Sequence, residues 1–142
     1  MALFLDTSAV VKLFVVETGS PAVEQAIRSD RDVFVGSLTV LEFLSAIRRK
    51  VREGVLTDRE AATEIAGFDG KFLAAAKVVP FGDEASLRAR ALLERHASAG
   101  LRVLDAVQLA CCLAVPGAAM MLADRPLARI AEAEGVTTRV VG

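Results

Sequence analysis

Ala2-Leu3-Phe4-Leu5-Asp6-Thr7-Ser8-Ala9 is the stretch whose reading decides the fold. Leu3-Phe4-Leu5 is a short apolar run, too short for a helix and ended by Asp6. It lacks the polar alternation of a strand with one wet face, so it reads as a strand buried on both faces. Ala9 to Val16 then reads as helix. A buried strand that feeds a helix is the start of a parallel crossover.

The rest of the chain repeats this unit. Ser20-Pro21 opens a second short helix, to about Ser29, with Pro in its first turn. Val33-Phe34-Val35 is the second strand. A long helix runs from about Thr39 to Glu53 and is stopped by Gly54. Thr57-x-x-Glu60 is a capping-box pattern that starts the next helix; Gly67 and Gly70 weaken its continuation toward Ala76. Val78-Val79-Pro80 is the third strand. Asp83 caps a helix that ends at Gly100, and Asp105 opens another through Ala114. After the turn at Pro116-Gly117, Ala119 to Leu122 is the fourth strand. Pro126 to Glu134 is a helix closed by Gly135, and Val136 to Val141 is the last strand. The pattern predicts one α/β domain over residues 1–142, with a parallel sheet covered by helices on both faces.

Bulk properties narrow the function classes. The chain has 142 residues, 54% of them hydrophobic and 25% charged, with a net charge of −1. That is globular, and it removes the simple argument that a basic protein binds an acidic polymer. Seven Phe and no Trp or Tyr leave little for stacking bases on exposed rings, so RNA binding would rest on charge and metal. Charged residues interrupt every apolar run before it reaches membrane-spanning length. Met1-Ala2-Leu3-Phe4-Leu5-Asp6 lacks a basic stretch and carries an acid, so no signal peptide is expected. Cys111 and Cys112 are adjacent, which suits helix packing in a reducing, cytoplasmic compartment rather than a disulfide. His96 is the only histidine and sits in polar sequence, so no catalytic triad is built around it.

The acids fall where a parallel sheet binds ligands, beyond the carboxyl ends of the strands. Asp6 follows strand one and Asp124 follows strand four. Glu42 lies in the first turn of the helix after strand two, and Asp105 starts the helix leading into strand four. Each has a structural explanation too. Thr39-x-x-Glu42 matches a capping box, Asp105 and Asp124 occupy N-cap positions, and the helix dipole favours acids at helix starts. Asp6 is the hardest to explain this way, because Thr7 and Ser8 are available to cap. On the long helix, Val40, Leu44, Ile47 and Val51 form an apolar stripe. Glu42 shares another face with Ser45, Ala46 and Arg49. Arg48, Arg49, Lys50 and Arg52 cluster at the helix end, either as a solvated terminus favoured by the dipole or as an edge that contacts phosphate.

Four segments together resemble the motifs of PIN domains, and VapC-type toxins most. They are Leu3-Phe4-Leu5-Asp6-Thr7-Ser8-Ala9, Ser37-Leu38-Thr39-Val40-Leu41-Glu42, Leu104-Asp105-Ala106-Val107-Gln108-Leu109-Ala110 and Ala123-Asp124-Arg125-Pro126-Leu127. The resemblance covers essentially the whole chain. It implies a five-stranded parallel sheet in order 3-2-1-4-5 and a Mg²⁺ or Mn²⁺ site formed by Asp6, Glu42, Asp105 and Asp124, with Thr7 and Ser8 hydroxyls at its edge. A carboxylate pocket without Cys or His suits these hard cations rather than zinc. Leu122 stands where many relatives carry Thr or Ser, which implies a missing hydroxyl contact near Asp124. The activity implied is an endoribonuclease toxin, homodimeric and blocked by a VapB-type antitoxin through a hydrophobic groove. Two other readings are an RNA-processing PIN nuclease and a catalytically weak PIN-like binding protein.

Overall fold

A computed structural model describes residues 1–29 and 32–142. The elements run β1 (Ala2–Leu5), α1 (Thr7–Phe14), α2 (Ser20–Arg28), β2 (Asp32–Gly36), α3 (Leu38–Arg52), α4 (Asp58–Gly67), α5 (Leu73–Ala75), β3 (Lys77–Val79), α6 (Asp83–Arg95), α7 (Val103–Leu113), β4 (Ala119–Leu122), α8 (Arg125–Ala133) and β5 (Thr138–Val140). The five strands form one parallel sheet in the order β3-β2-β1-β4-β5. This is the expected α/β architecture and strand order. Leu3 is in register with Val33 on one side and Ala119 on the other, which makes β1 the central strand.

Alternation along the strands divides the core into two layers. Phe4, Met120 and Leu122 pack with Leu92, Leu109 and Leu127 under α6, α7 and α8. Leu3, Leu5 and Met121 pack with Val10, Phe43, Ile47 and Phe68 under α1, α3 and α4. Phe14, Phe43, Phe68 and Phe72 form an aromatic cluster in which Phe43 and Phe68 stack at 4.1 Å. Most of the scarce aromatics are therefore core, and only Phe81 is substantially exposed. Cys111 and Cys112 are free and buried. Burial pushes the Cys112 thiol up to about 12, so both act as packing residues. Among the described residues no helix is long and apolar enough to cross a membrane.

The Thr57–Glu60 capping box forms with both of its hydrogen bonds. Several boundaries move for local reasons. The α1 helix begins at Thr7 because Asp6 is its cap. The segment after Gly67 continues as a π-helical turn over Phe68–Phe72 into α5, so the glycines loosen the helix without ending it. Strand β3 stops before Pro80, which has no N–H to give the ladder. Helix α6 ends at Arg95, and a 3₁₀ turn over Ala97–Ala99 leads to Gly100 at φ 71°. The last strand is confined to Thr138–Val140.

The apolar stripe of α3 differs from the one read in the sequence. The helix buries Thr39, Phe43 and Ile47, whereas Val40 and Leu44 are exposed together with Leu41. Phe43 decides this rotation, because the aromatic cluster pulls its side of the helix inward. The capping box inferred at Thr39 is likewise absent: α3 begins at Leu38 with Ser37 as its cap, and Thr39 turns into the core. Asp105 is the third residue of α7, behind an extended Arg102, and is not an N-cap.

Candidate functional site

The site starts from the turn between β1 and α1. Asp6 is extended, and its N–H donates to the Met121 carbonyl at 3.0 Å, which carries the β1–β4 ladder to its end. Its Oδ2 accepts from the Ser8 N–H at 3.3 Å and the Ser8 hydroxyl at 2.6 Å. Ser8 Oγ in turn accepts from the Ala123 N–H at 3.0 Å. One hydroxyl thus joins the two turns that present Asp6 and Asp124. Asp124 caps α8 through Oδ1, which accepts from the Leu127 N–H at 2.9 Å. Two N-caps at the ends of adjacent parallel strands is the arrangement expected where a sheet reverses strand order.

Glu42 is held from beneath. Its Oε1 accepts from the Thr7 hydroxyl at 2.8 Å and from Gln108 Nε2 at 2.7 Å. Gln108 Nε2 also lies 3.0 Å from both Thr7 Oγ1 and Thr39 Oγ1. Thr7 spends its single proton on Glu42, so Thr39 is the donor in the 2.8 Å contact between the two threonines. A buried carboxylate–amide–hydroxyl network of this kind fixes its members. Gly36 makes room for it: a Cβ there would stand 3.3 Å from Gln108 Oε1.

Asp105 and Asp124 share one cation. Arg102 Nε lies 3.1 Å from Asp105 Oδ2 and its Nη2 lies 3.5 Å from Asp124 Oδ2. Its side chain is 75% exposed, so solvent screens this pairing. Asp6 is buried. Burial pushes its carboxyl up to about 6; the Ser8 hydrogen bonds oppose that, and the charges of Glu42 and Asp105 add to it. Three of the four acids therefore lie within one another's fields, and the fourth is tied to them through Arg102.

The oxygen inventory bears on whether a cation fits. Among the described residues Asp6 Oδ1, Glu42 Oε2 and Asp105 Oδ1 take no hydrogen bond or ion pair, while both oxygens of Asp124 are engaged. Three hard oxygen donors with their partner oxygens clamped suit Mg²⁺ or Mn²⁺. The acids are not drawn into a tight cluster: no three acid, His or Cys side chains among the described residues converge closely enough to hold a metal ion as they stand.

Other residues singled out from the sequence are placed as follows. Thr7 and Ser8 each direct their hydroxyl at an acid. Leu122 is fully buried in the core with Phe4 and Leu127, so its side chain belongs to the packing. Arg48, Arg49 and Arg52 are exposed on α3, while Lys50 donates to Glu17 at 3.1 Å. His96, which caps the end of α6, meets Glu134, which caps the end of α8, at 2.6 Å. A cavity of about 500 Å³ is lined by Phe14, Val15, Val16, Val55 and Leu56 with Arg59, Glu60, Thr63 and Glu64, away from the four acids. A smaller one of about 140 Å³ lies against Arg102, Asp105 and Asp124. Charge chemistry, not volume, marks the site.

Sequence reasoning gave no role to Gln108 or Arg102, and read Thr39 only as a helix cap. Gln108 carried a readable signal: one polar residue in the apolar run Ala106 to Leu113, one turn from Asp105 on the same face. Replacing Gln108 by Leu leaves the Glu42, Thr7 and Thr39 oxygens short of a donor in a buried space. A loss of about 1–3 kcal/mol in urea unfolding is expected; an unchanged midpoint would show that the network does not clamp Glu42.

Comparison with known proteins gives a consistent fold. The family model described as PIN domain matches residues 3–133. No curated protein sequence matches the chain. Among solved structures, the chain is similar to FitAcB from Neisseria gonorrhoeae, with 14% identity over 97% of this chain and 96% of that one and a TM-score of 0.74. It is similar to VapBC2 from Rickettsia felis, bound to a DNA fragment from their promoter, with 12% identity over the whole of both chains and a TM-score of 0.72. It is also similar to VapC20 from Mycobacterium tuberculosis, a Sarcin-Ricin loop cleaving toxin, with 17% identity over 89% of this chain and 93% of that one and a TM-score of 0.67.

Proposed function

The chain belongs to the PIN domain family, and on that premise we propose that it is a metal-dependent endoribonuclease, the toxin of a VapBC-type toxin–antitoxin pair. The domain spans residues 1–142 and works in the cytoplasm. The observation that carries this reading is the oxygen inventory. Asp6, Glu42 and Asp105 each keep one carboxylate oxygen free while the other is clamped. A cap or surface acid can show the same split singly, but here the three fall together, with the charges of Glu42 and Asp105 acting on the buried Asp6.

Asp6, Glu42 and Asp105 are the proposed ligands of Mg²⁺ or Mn²⁺. When bound, the cation activates a water and neutralises charge developing on the phosphate. Ser8 orients Asp6, while Thr7 and Gln108 orient Glu42, so only a closing of the distance between the acids is left for the cation to bring about. Asp124, with both oxygens engaged, positions the start of α8 and Arg102. Arg48, Arg49, Lys50 and Arg52 are proposed to contact the RNA backbone, whose charge dominates nucleic-acid affinity.

Two partner surfaces support the toxin reading. The cavity of about 500 Å³ sets an apolar wall of Phe14, Val16 and Val55 against Arg59, Glu60 and Glu64, which suits an amphipathic segment of an antitoxin. Leu41, at 68% exposure, lies with Val40 and Leu44 on an unpartnered face of α3 that suits a second copy of the chain. The test of function is to sequence RNA ends after brief expression. Expression of the wild type should produce new internal ends at recurring sites, and Asp6→Asn none. Identical end maps would overturn the nuclease reading.

A further inference from the structure

We infer that the groove between α1 and α3, which adjoins the acid site, binds an RNA phosphate about one nucleotide from the bond that is cut. The inference rests on the nuclease reading above and adds to it a defined subsite. The groove is a cavity of about 200 Å³ that shares the Ser8 and Ala123 positions with the acid site. Ser8 is the residue whose hydroxyl links Asp6 to the β4–α8 turn. The cavity therefore adjoins the two turns that carry Asp6 and Asp124.

Its walls change chemistry along their length. On α1, Ser8 at the acid end is followed one turn later by Lys12. On α3, Glu42 at the acid end is followed by Ala46 and then by Arg49 and Lys50, of which all but Glu42 line the cavity. Four residues of helix rise about 6 Å and seven about 10 Å, so the cations begin about one nucleotide of backbone beyond the acids. Ala46 is the only small residue of α3 on this wall, and it leaves the space open.

The cations are held in place before any ligand arrives. Lys12 is buried, and its ammonium donates to the Thr18 carbonyl at 2.6 Å and to Glu17 at 3.2 Å. Lys50 donates to the other oxygen of Glu17 at 3.1 Å. Burial works against ionisation of Glu17, but the hydrogen bonds from Lys50 and Lys12 outweigh it, so Glu17 stays charged and clamps both lysines. Glu17 and Glu53 offset two of the three positive charges on this wall. Arg49 is exposed and makes no ion pair among the described residues. It is the cation with donors to spare, and a guanidinium meets a phosphate through paired N–H bonds. An anionic monoester or diester phosphate is the ligand class that this combination takes. A carboxylate partner would match the charge equally, but only a polyphosphodiester sets the anion one repeat away from a reacting phosphate.

The test is a charge-removal scan on the RNA. A short RNA containing one cut site is made with each phosphate in turn replaced by an uncharged methylphosphonate, and kcat/KM is measured with Mn²⁺. Replacing the phosphate next to the cut, on one side, should lower kcat/KM for the wild type about ten-fold, the scale of a hydrogen bond to a charged group. Arg49→Gln should lose most of that dependence at that position. Ala46→Leu, which fills the groove without changing its charge, should lose it as well. Arg28→Gln removes an equal charge on α2 and should keep the dependence. If Arg49→Gln and Ala46→Leu respond to the scan as the wild type does, the subsite is overturned while the nuclease reading stands. If the wild type cuts no RNA at all, the nuclease reading fails and the subsite falls with it.

Discussion

Asp6→Asn, Glu42→Gln and Asp105→Asn are each expected to lose RNA cleavage by about a thousand-fold or more at saturating Mn²⁺, whereas Asp124→Asn keeps a measurable fraction. The scale is that of the several kcal/mol of charge stabilisation that a bound cation supplies to a phosphoryl transition state. The difference among the four follows from their oxygens. Asp6 Oδ1, Glu42 Oε2 and Asp105 Oδ1 are unspent among the described residues, and an amide in place of any one removes a ligand charge. Asp124 already gives Oδ1 to the Leu127 N–H and Oδ2 to Arg102. Its loss misplaces neighbours, an effect of about 10–100-fold for residues that orient metal ligands. Initial rates on one defined RNA across a Mn²⁺ titration check this. Full activity in Asp105→Asn would break the assignment of the site, and an Asp124→Asn variant as dead as Asp6→Asn would make Asp124 a ligand.

The second expected result concerns stability: without metal, Asp6→Asn melts higher than the wild type. Burial raises the Asp6 carboxyl from its ordinary 3.8 to about 6. At neutral pH the folded protein keeps it ionised at a cost of up to about 3 kcal/mol relative to the unfolded chain. Between about pH 4 and 6 the folded state binds more protons than the unfolded state, so this contribution to stability falls as pH rises. The penalty is complete above about pH 6 and absent below about pH 4. The Asp6→Asn substitution removes it. The new amide oxygen still accepts the Ser8 hydroxyl, but the buried NH₂ needs a partner and returns part of the gain. A rise of about 5 °C in EDTA at pH 7.5 is expected, with the pH 4–6 slope flattened. Mn²⁺ reverses the order. At a hundred times its dissociation constant it stabilises the wild type by about 2.7 kcal/mol, and Asp6→Asn should lose most of that increment. Thermal scans of both proteins in EDTA and in Mn²⁺ decide the matter. If the wild type shows no shift with Mn²⁺, or Asp6→Asn melts lower in EDTA, the acids are caps and surface charges.

The fold was legible because its strongest signal is local. Buried parallel strands are short and apolar throughout, and Leu3-Phe4-Leu5 and Ala119 to Leu122 announce themselves without reference to the rest of the chain. The cap at Asp124 was legible as a position for the same reason, whereas Asp6 was read as hard to explain as a cap and proves to be the cap of α1. What failed depended on distant packing. Either face of α3 offers an apolar stripe, and the choice belongs to Phe43, which is drawn in by Phe14 and Phe68 from other helices. Thr39 fits a capping pattern by spacing alone, but its hydroxyl is claimed by Thr7 and Gln108, 32 and 69 residues away. The Lys50 charge counts as free on α3 until Glu17 is found beside it. Arg102 was invisible because nothing in the sequence says that the last extended residue before α7 reaches across to the cap of α8.

The strand order also dictates when the site exists. β1 is made before either of its neighbours, β2 and β4. β2 follows within about 30 residues of synthesis, but Ala119 to Leu122 emerge much later. Ribosomes add about 5–20 residues per second, so the stretch between Asp6 and Asp124 takes roughly 6–24 s. Through that interval one edge of β1 has no ladder partner, Ser8 has no Ala123 N–H to receive, and Asp124 has not been made. A nascent chain therefore lacks the paired turns that present Asp6 and Asp124. It is also sticky, because an open strand edge with a Leu3 and a Phe4 on it is a template for pairing with other chains. Truncated products that stop before β4 should collect in aggregates rather than in the folded pool, so aborted translation of this message leaves debris and no completed site.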